Sequence, residues 1–369
     1  MTLFPDIEPD PPRRGGGGWI GWSILAIALI GVTVVALIPA PYVIEQPGPV
    51  YDTLGDVTIN GEAQPMILIP MEETFPTSGS LNMLTVSIRG NREELPNWLE
   101  IATAYFDPSK AVVPVDLVYP IGQSVEDSNQ QGAVDMQNSQ QEAIAAALTQ
   151  LGYEFTSTVT VVEAQEDGPS AGMLLPGDVI LSLNDQEVTD VTGLRAAIAE
   201  NGVSKPADVL IRRDGVEQTL RINPAMSDGD NPVPVLGIIA GSDYDFPFTV
   251  TIQLENVGGP SAGMMFALGI IDKLSEDTLT GGQNFAGTGT ISAGGDVGPI
   301  GGIRQKMYGA VGAGADYFLA PKANCDEVAG HIPSGLEVFA VATLDDALDV
   351  LETVAASGDT SKLPTCPTS

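Results

Sequence analysis

The sequence predicts an α+β protein in which two folded regions follow one N-terminal apolar helix. Three observations lead to this prediction. Residues Trp19 to Ile38 form an uncharged apolar run. Residues 151–225 consist of short alternating segments separated by turn residues, which is typical of a mostly-β domain. Residues 44–148 and 232–355 instead mix strand-like and helix-like segments, which indicates helices packed on a sheet.

The apolar run has the length of a membrane-spanning helix, since about 20 residues cross the hydrocarbon core. Trp19 and Trp22 stand at one end, where indole rings favour the membrane interface. Arg13 and Arg14 precede the run and no Lys or Arg closely follows it. The positive-inside bias then predicts that residues 1–18 are a disordered cytoplasmic tail and that the body is extracytoplasmic. A cleaved signal peptide is the alternative, although its apolar region is usually shorter.

The charge of the chain limits its partners. Asp and Glu number 48 against 15 Lys and Arg, a net charge of -33. A field of this sign repels nucleic acid, so we expect no nucleic-acid partner. Adaptation to salt or solubility is the ordinary explanation of such acidity.

The region after the apolar run contains three strand-like runs and one helical segment. The runs lie at Met66–Pro70, Leu81–Ile88 and Ala111–Ile121. Met136–Leu148 has small and apolar residues at helical spacing. We assign these elements to residues 44–148.

The following region has the pattern of a small β domain. Thr158–Ala164 alternates as a strand, Leu194–Gly202 is helical, and Ala207–Ile222 forms a hairpin with Asp214-Gly215 at its turn. The string LLPGDVILSLND at 174–185 resembles the Leu-x-x-Gly-Asp-x-Ile-x-x-Val-Asn-Gly pattern of PDZ domains.

The PDZ resemblance implies a binding function. Domains of this family add an extended C-terminal peptide to a sheet edge and hold its carboxylate in a hydrophobic-Gly-hydrophobic loop. Leu151, Gly152 and Tyr153 are the candidate peptide-binding loop.

The hexapeptide GPSAGM occurs twice and offers two candidate nucleophiles, Ser170 and Ser261. Ser170 leads into a turn and a strand, which predicts a structural role. Ser261 follows a strand-like segment, Phe248–Asn256, and precedes a long helix-compatible run. At such a junction the backbone N–H groups of Ser261 and Ala262 can stabilise an oxyanion. We therefore predict Ser261 as the nucleophile.

A serine nucleophile needs a base, and the chain offers two kinds. His331 is the single histidine, in a loop-like segment that lacks an acid-histidine pattern. Lys306 lies at the edge of an apolar stripe that includes Ile303 and Met307. Burial lowers the pKa of lysine toward neutrality, so a lysine in this position can serve as general base.

The strings GGPSAG at 258–263, GTGTI at 287–291 and PIGGIRQK at 299–306 resemble the proteolytic domain of Lon. The resemblance implies a Ser-Lys dyad of Ser261 and Lys306, with Thr290 orienting the amine. It departs at Gly258, where many Lon proteins have an acidic residue, and this leaves open how the site is gated.

The resemblance extends upstream to Gly79–Ile88 and Met136–Leu148. It implies a PDZ-like domain inserted into a Lon-type domain, with a tandem order as the alternative. No GxxxxGK[ST] string occurs, so we expect an ATP-independent serine endopeptidase without cofactor that cleaves unfolded or exposed protein segments. Homo-oligomerisation into rings, as in Lon, stays open.

Two other functions are compatible with parts of the sequence. A non-catalytic PDZ membrane adaptor would need no dyad, and an HtrA-like protease would need a second histidine or a GDSGG-type string. Cys325 and Cys366 form no CxxC or Cys/His cluster, so no metal site is expected. Whether the two cysteines pair, and so fix the tail at 356–369, is left open.

Overall fold

A computed structural model of the chain describes residues 17–59, 61–120, 125–227, 232–255 and 257–367. Within these ranges the α-helices are α1 (Gly17–Leu37), α2 (Trp98–Tyr105), α3 (Val115–Val118), α4 (Val125–Gln150), α5 (Val191–Asn201), α6 (Gly263–Leu274), α7 (Ile303–Gly312), α8 (Cys325–Val328) and α9 (Leu344–Ala355).

The strands of the first half are β1 (Tyr42–Asp52), β2 (Asp56–Ile59), β3 (Glu62–Pro65), β4 (Ile67–Leu68), β5 (Ser80–Arg89), β6 (Ala111–Pro114), β7 (Thr156–Ala164), β8 (Val179–Leu183) and β9 (Gln186–Glu187). Those of the second half are β10 (Ala207–Arg213), β11 (Val216–Ile222), β12 (Ala225–Met226), β13 (Pro234–Val235), β14 (Ile238–Asp245), β15 (Thr251–Ile252), β16 (Asn284–Gly287), β17 (Thr290–Ile291), β18 (Val297–Gly298), β19 (Tyr317–Pro321) and β20 (Glu337–Val341).

The first sheet joins strands from both ends of the chain in the order β20-β19-β16-β5-β1-β6. β16 is parallel to β5 and to β19, whereas β1 is antiparallel to β5 and β6. Strands before residue 115 and after residue 283 are therefore hydrogen-bonded neighbours. The chain between them leaves this sheet and returns to it.

The second sheet is formed by the intervening chain in the order β11-β10-β8-β7-β14, with β9 paired to β8. Its pairs are antiparallel, and α5 packs its apolar side chains against them. Asp190 caps α5 through Gly193 N, and Gly202 ends it with a φ of 67°. Each sheet thus has its own hydrophobic core.

The helix α4 belongs to the core of the first sheet, where it packs beside α6. Ala143, Ile144, Ala147 and Leu148 of α4 are buried there together with most side chains of α6. The predicted helix Met136–Leu148 is confirmed, and the observed helix begins earlier and ends later.

The predicted hairpin is confirmed, with Asp214 at φ 52° and Gly215 at φ 81° in its turn. Three predicted strands are shorter than expected, and the run Met66–Pro70 is a strand only at Ile67–Leu68. The run from Ala111 is a strand only to Pro114, because the proline ring suits the start of the short helix α3. Residue 121 lies outside the described residues.

The predicted strand before Ser261 is also short. The segment from Phe248 pairs only at Thr251–Ile252, because its partner β4 spans only Ile67–Leu68. Asn256, at the end of the predicted strand, lies outside the described residues.

The apolar run forms α1, and its described large side chains are exposed. Trp22 is 72% exposed and Leu37 is 76% exposed. Among the helices of the described ranges, none combines the length and the hydropathy that a membrane crossing requires. The membrane span stays a prediction. The predicted tail lies outside the described residues up to residue 16, and Gly17 and Gly18 begin α1.

The C-terminal segment is tied back onto the first sheet. Cys325 at the start of α8 forms a disulfide with Cys366, with the two Cα atoms 5.0 Å apart. Ala340 N of β20 donates a hydrogen bond of 2.9 Å to Pro364 O. The pairing that the sequence left open is therefore present in the structure.

Candidate active site

Ser261 lies on the segment that connects β15 to α6, two residues before the helix begins. Gly259 adopts a φ of 85°, a left-handed conformation that favours glycine, and this turns the chain into the helix. The predicted junction of an extended segment and a helix is thus present, although most of the extended segment is not paired as a strand.

The backbone around Ser261 is fixed by the loop that precedes β17. Gly289 N donates to Ser261 O at 2.9 Å, and Met264 N donates to Gly289 O at 3.2 Å. Within the described residues, the N–H groups of Ser261 and Ala262 donate to no backbone carbonyl. These two donors, predicted for the oxyanion, are available to a ligand at the positive end of α6.

Lys306 projects from the first turn of α7 to Ser261. Gly302, with a φ of 68°, caps the helix, and Lys306 N bonds back to its carbonyl at 3.1 Å. The amine Nζ lies 2.7 Å from Ser261 Oγ. The two residues that the sequence singled out, 45 positions apart, are thus in hydrogen-bonding contact.

The environment of Lys306 favours the neutral amine. The residue is 2% exposed, and no described carboxylate forms an ion pair with it. Burial therefore acts without compensation and lowers the pKa of Lys306 to about 7. Near neutral pH a large fraction of this amine has a free lone pair, which can accept the hydroxyl proton of Ser261.

The threonine beside the amine is Thr288. Lys306 Nζ donates to Thr288 Oγ1 at 2.9 Å, and Thr288 Oγ1 donates to Ser261 O at 2.9 Å. The hydroxyl thus orients the amine and ties it to the backbone of the nucleophile.

The predicted supporting residue, Thr290, is corrected to Thr288 by this contact. Thr290 lies two residues further on, opposite Gly298 in the β17–β18 pair. Both threonines follow a glycine in the string GTGTI, and alternate residues of an extended segment share a face. The string alone therefore could not separate them.

Two residues of α4 hold the segment before the nucleophile, and the sequence did not reveal them. Gly132 O accepts a hydrogen bond of 2.8 Å from Gly259 N. Ser139 Oγ donates to Pro260 O at 2.9 Å, and Ser139 is buried. A serine within the small and apolar stripe of this helix was the available signal.

A cleft of about 480 Å³ opens in front of the pair. Its walls come from β1, β5, the middle of α4 and the segment before α6. The lining includes Met83, Val86, Met136, Val257, Ser261 and Lys306. The cleft is large enough for several residues of an extended peptide.

The first copy of the repeated hexapeptide is structural, as predicted. Ser170 is completely buried in the second sheet's domain, and its hydroxyl donates to Leu236 O. Ser170 N donates to the same carbonyl at 3.2 Å. This serine therefore fixes the chain just before β14.

The predicted peptide-binding loop, Leu151, Gly152 and Tyr153, does not lead to a free sheet edge. It precedes β7, which is paired on both sides, with β8 and with β14. Tyr153 instead packs its ring on Phe248, with the centroids 5.1 Å apart.

A second hydrophobic-Gly-hydrophobic triplet stands at the sheet edge. Leu236-Gly237-Ile238 precedes β14, the last strand in the sheet order, and Gly237 has a φ of 70°. The sequence prediction placed the loop before the PDZ-like segment, at residues 151–153. The triplet at 236–238 follows that segment in the sequence and was therefore missed.

His331 is exposed in the loop after α8 and does not line the cleft. The structure thus gives Ser261 a lysine neighbour and no histidine neighbour within the described residues.

Two family models match the chain. Residues 256–354 match the Lon protease (S16) C-terminal proteolytic domain, and residues 120–223 match the PDZ domain. The second match includes α4, although most buried apolar side chains of α4 lie in the core of the first sheet.

Several curated Lon proteases are similar to part of the chain. Lon protease 1 of Sorangium cellulosum is 40% identical over 93 residues, which are 24% of this chain and 11% of that protein. Lon protease 2 of Bacillus subtilis is 31% identical over 189 residues, 49% of this chain and 31% of that protein. The archaeal Lon protease of Thermococcus kodakarensis is 25% identical over 183 residues, 46% of this chain and 28% of that protein.

Among solved structures, the PDZ domain of the SdrC-like protein from Listeria innocua aligns with a TM-score of 0.21 and 23% identity. The alignment covers 22% of this chain and 92% of that domain. The chain spans less than a third of the length of the curated relatives named above. The two family models and the Lon protease relatives support a serine-type protease with a Lon-type proteolytic domain and a PDZ domain.

The lowered pKa of Lys306 predicts how the reactivity of Ser261 depends on pH. Labelling of Ser261 by a fluorophosphonate probe should rise about tenfold per pH unit below neutrality and level off above a midpoint of about 7, since only the neutral amine accepts the proton. Rates measured from pH 5 to 9 would test this, with Lys306→Ala as the flat, slow control. A rate that still rises about tenfold per pH unit between pH 8 and 9, as the ordinary lysine value of 10.5 requires, would contradict it.

Thr288 should matter more than Thr290. Thr288→Val removes the hydroxyl that holds the amine, and we expect labelling of Ser261 to slow by about tenfold. Thr290→Val, the same chemical change two residues away, should alter the rate by less than about twofold, because no hydrogen bond to the amine is lost. Equal losses in the two variants would restore Thr290 to the role predicted from the sequence.

Proposed function

We propose that the protein is a membrane-anchored, ATP-independent serine endopeptidase with a dyad of Ser261 and Lys306. The observation that supports this function most directly is the 2.7 Å contact between a buried lysine amine and a serine hydroxyl at a helix start. A structural role for the pair is a poor explanation, because burial of an unpaired amine destabilises the folded state.

The first half of the reaction forms an acyl-enzyme. The neutral amine of Lys306 takes the proton of Ser261 Oγ while this oxygen attacks the peptide carbonyl. The oxyanion of the tetrahedral intermediate accepts hydrogen bonds from the N–H groups of Ser261 and Ala262. Collapse of the intermediate breaks the C–N bond, and the ammonium of Lys306 returns the proton to the leaving amine.

The second half releases the acyl group. Lys306, again neutral, takes a proton from water, and the hydroxide attacks the ester carbonyl. The proton then returns to Ser261 Oγ as the ester bond breaks. Thr288, which accepts a hydrogen bond of 2.9 Å from the amine, keeps it oriented toward Oγ.

The substrates we propose are unfolded or exposed protein segments. The cleft is lined by strand β5, whose extended backbone suits an extended chain. Since no phosphate-binding string is present in the sequence, we propose that the protein does not unfold its substrates with ATP.

We assign peptide binding, which either selects substrates or regulates access to the active site, to the inserted PDZ-like domain and its triplet Leu236-Gly237-Ile238. The carbonyl groups of Leu236 and Gly237 are bonded inward, to Ser170 and to Gln165 N. Within the described residues, their N–H groups donate to no backbone carbonyl. Successive free N–H groups form a site for a carboxylate, such as the C-terminus of a peptide.

Anchoring by α1 and an extracytoplasmic body are part of the proposal. The exposed apolar side chains of α1 support it, since large exposed apolar surfaces are typical of sites that contact a membrane or another protein. The disulfide between Cys325 and Cys366 also supports it, because disulfides persist mainly in oxidising compartments.

The alternative function is a non-catalytic PDZ adaptor. Degradation of casein without ATP tests the choice. We expect activity in the wild type and a loss of at least about a thousandfold in Ser261→Ala and Lys306→Ala, because each removes one half of the dyad.

Two matched controls accompany this experiment. Lys322→Ala removes an exposed lysine, and His331→Ala removes the single histidine; both should keep the activity. Equal casein degradation by all variants would end the enzymatic proposal, and inactivation by His331→Ala would favour a histidine-dependent protease.

The proposed location has its own test in cells. The full chain should resist extraction from membranes with alkaline carbonate, and deletion of residues 1–38 should release it, because α1 is the proposed anchor. Maleimide-polyethylene glycol should label Cys325 and Cys366 only after reduction. Full release of the intact chain by carbonate, or free thiols in it, would refute anchoring or the oxidising compartment, respectively.

A further inference from the structure

The helix α4 contacts the PDZ-like domain and the nucleophile segment at the same time. Toward the PDZ-like domain it uses three polar side chains. Asn138 Nδ2 donates to Ala240 O at 3.1 Å. The carboxylate of Glu142 accepts from Thr192 N at 3.1 Å and from Thr192 Oγ1 at 2.7 Å, and Asp135 accepts from Arg195 at 3.1 Å.

A neighbouring stripe of the same helix holds the candidate active site. Gly132 O accepts from Gly259 N, and Ser139 Oγ donates to Pro260 O, directly before Ser261. Met136, between them on the helix, lines the cleft. The two stripes run side by side, since residues three and four apart share a helix face.

The contact at Ala240 lies on the edge where a peptide would add. β14 ends the sheet order, so the described strands leave its outer edge unpaired. Asn138 bonds the Ala240 carbonyl from outside the β14–β7 pair, which shows that this carbonyl points outward. In an antiparallel strand the backbone groups of Ser242 and Tyr244 point the same way.

The nearby triplet identifies the class of ligand. The N–H groups of Leu236 and Gly237 lie at the start of the same edge and suit a carboxylate. An extended peptide with a free C-terminus, bound antiparallel to β14, would therefore reach Ala240 about two residues from its end.

We propose that such a peptide displaces Asn138 from the Ala240 carbonyl and that α4 transmits this change to Ser261. The proposal rests on the function proposed above and adds a regulatory link to it. The Ala240 carbonyl is the shared group, because the peptide N–H and the Asn138 amide compete for it. Peptide occupancy and the docked position of α4 therefore oppose each other.

The direction of the effect follows from the docked arrangement. In the structure α4 lies against β14, and Ser261 and Lys306 are in contact. Gly132 and Ser139 of α4 are hydrogen-bonded to residues 259 and 260, directly before Ser261. Displacement of α4 lengthens these two hydrogen bonds and so shifts the segment that positions Ser261. Peptide binding at the β14 edge therefore lowers the reactivity of Ser261.

The competition is measured first. A library of peptides with free C-terminal carboxylates and the same library in amidated form are passed over the immobilised full chain with Ser261→Ala, which cannot cleave them. We expect only the free-carboxylate library to be retained. The affinity of a retained peptide, measured by fluorescence polarisation, should rise about fivefold when Asn138→Ala is added, since one competing hydrogen bond is lost.

Gln137→Ala is the matched control, because Gln137 is the exposed neighbour of Asn138 on the same helix. It should leave the affinity unchanged. Equal affinities for the Asn138→Ala and Gln137→Ala proteins, or retention of neither library, would overturn the proposal.

The link to the active site is measured second. A saturating concentration of the retained peptide should slow fluorophosphonate labelling of Ser261 at least about threefold in the wild type. Its amidated form should have no effect. An unchanged labelling rate with the bound peptide would refute the link through α4.

The two proposals fail in different ways. If Ser261 degrades casein but its labelling ignores the peptide, the endopeptidase stands and the regulation falls. If Ser261 is neither labelled nor active while Asn138→Ala still strengthens peptide binding, the proposed catalysis fails and competition at Ala240 is retained.

Discussion

The exclusion of water from Lys306 is the constraint on which the rest of the site depends. A solvated lysine is an ammonium ion and cannot take a proton from a serine hydroxyl. The side chains that exclude water come from distant parts of the chain. The helix α7, which follows the PDZ-like domain in sequence, packs its apolar side chains against β5, which precedes that domain. The continuity of the first sheet across the inserted domain thus makes the chemistry of Lys306 possible.

The same continuity gives α4 its position. The helix leaves the first sheet's core and leads directly to β7, so it lies where the two domains meet. Its small residues on one stripe permit close approach to the nucleophile segment, and its polar residues on the next bind the second sheet. One rigid element therefore contacts both candidate sites, which is the physical basis of the coupling we propose.

Much of the fold and the central pair could be predicted from sequence. The hairpin at Asp214-Gly215, the helix α4 and the roles of the two serine motifs follow from local turn chemistry and residue spacing. The threonine that contacts the Lys306 amine is Thr288, not the predicted Thr290. The two threonines lie two residues apart on the same face of an extended segment, so the sequence could not distinguish them. The peptide-binding loop was misassigned for a similar reason: strand pairing, which decides which edge is free, is a long-range property.

The sequence by itself determined which residues could do the chemistry: a serine after a glycine-proline turn, a lysine in an apolar stripe, and small residues where backbone must approach closely. Only the tertiary structure decided that Ser261 and Lys306 meet at 2.7 Å, that water is excluded around the amine, and that β14 ends its sheet. Spacing and turn signals are local and can be read along the chain. Burial and strand order arise from contacts between distant segments, and these exist only once the chain has folded.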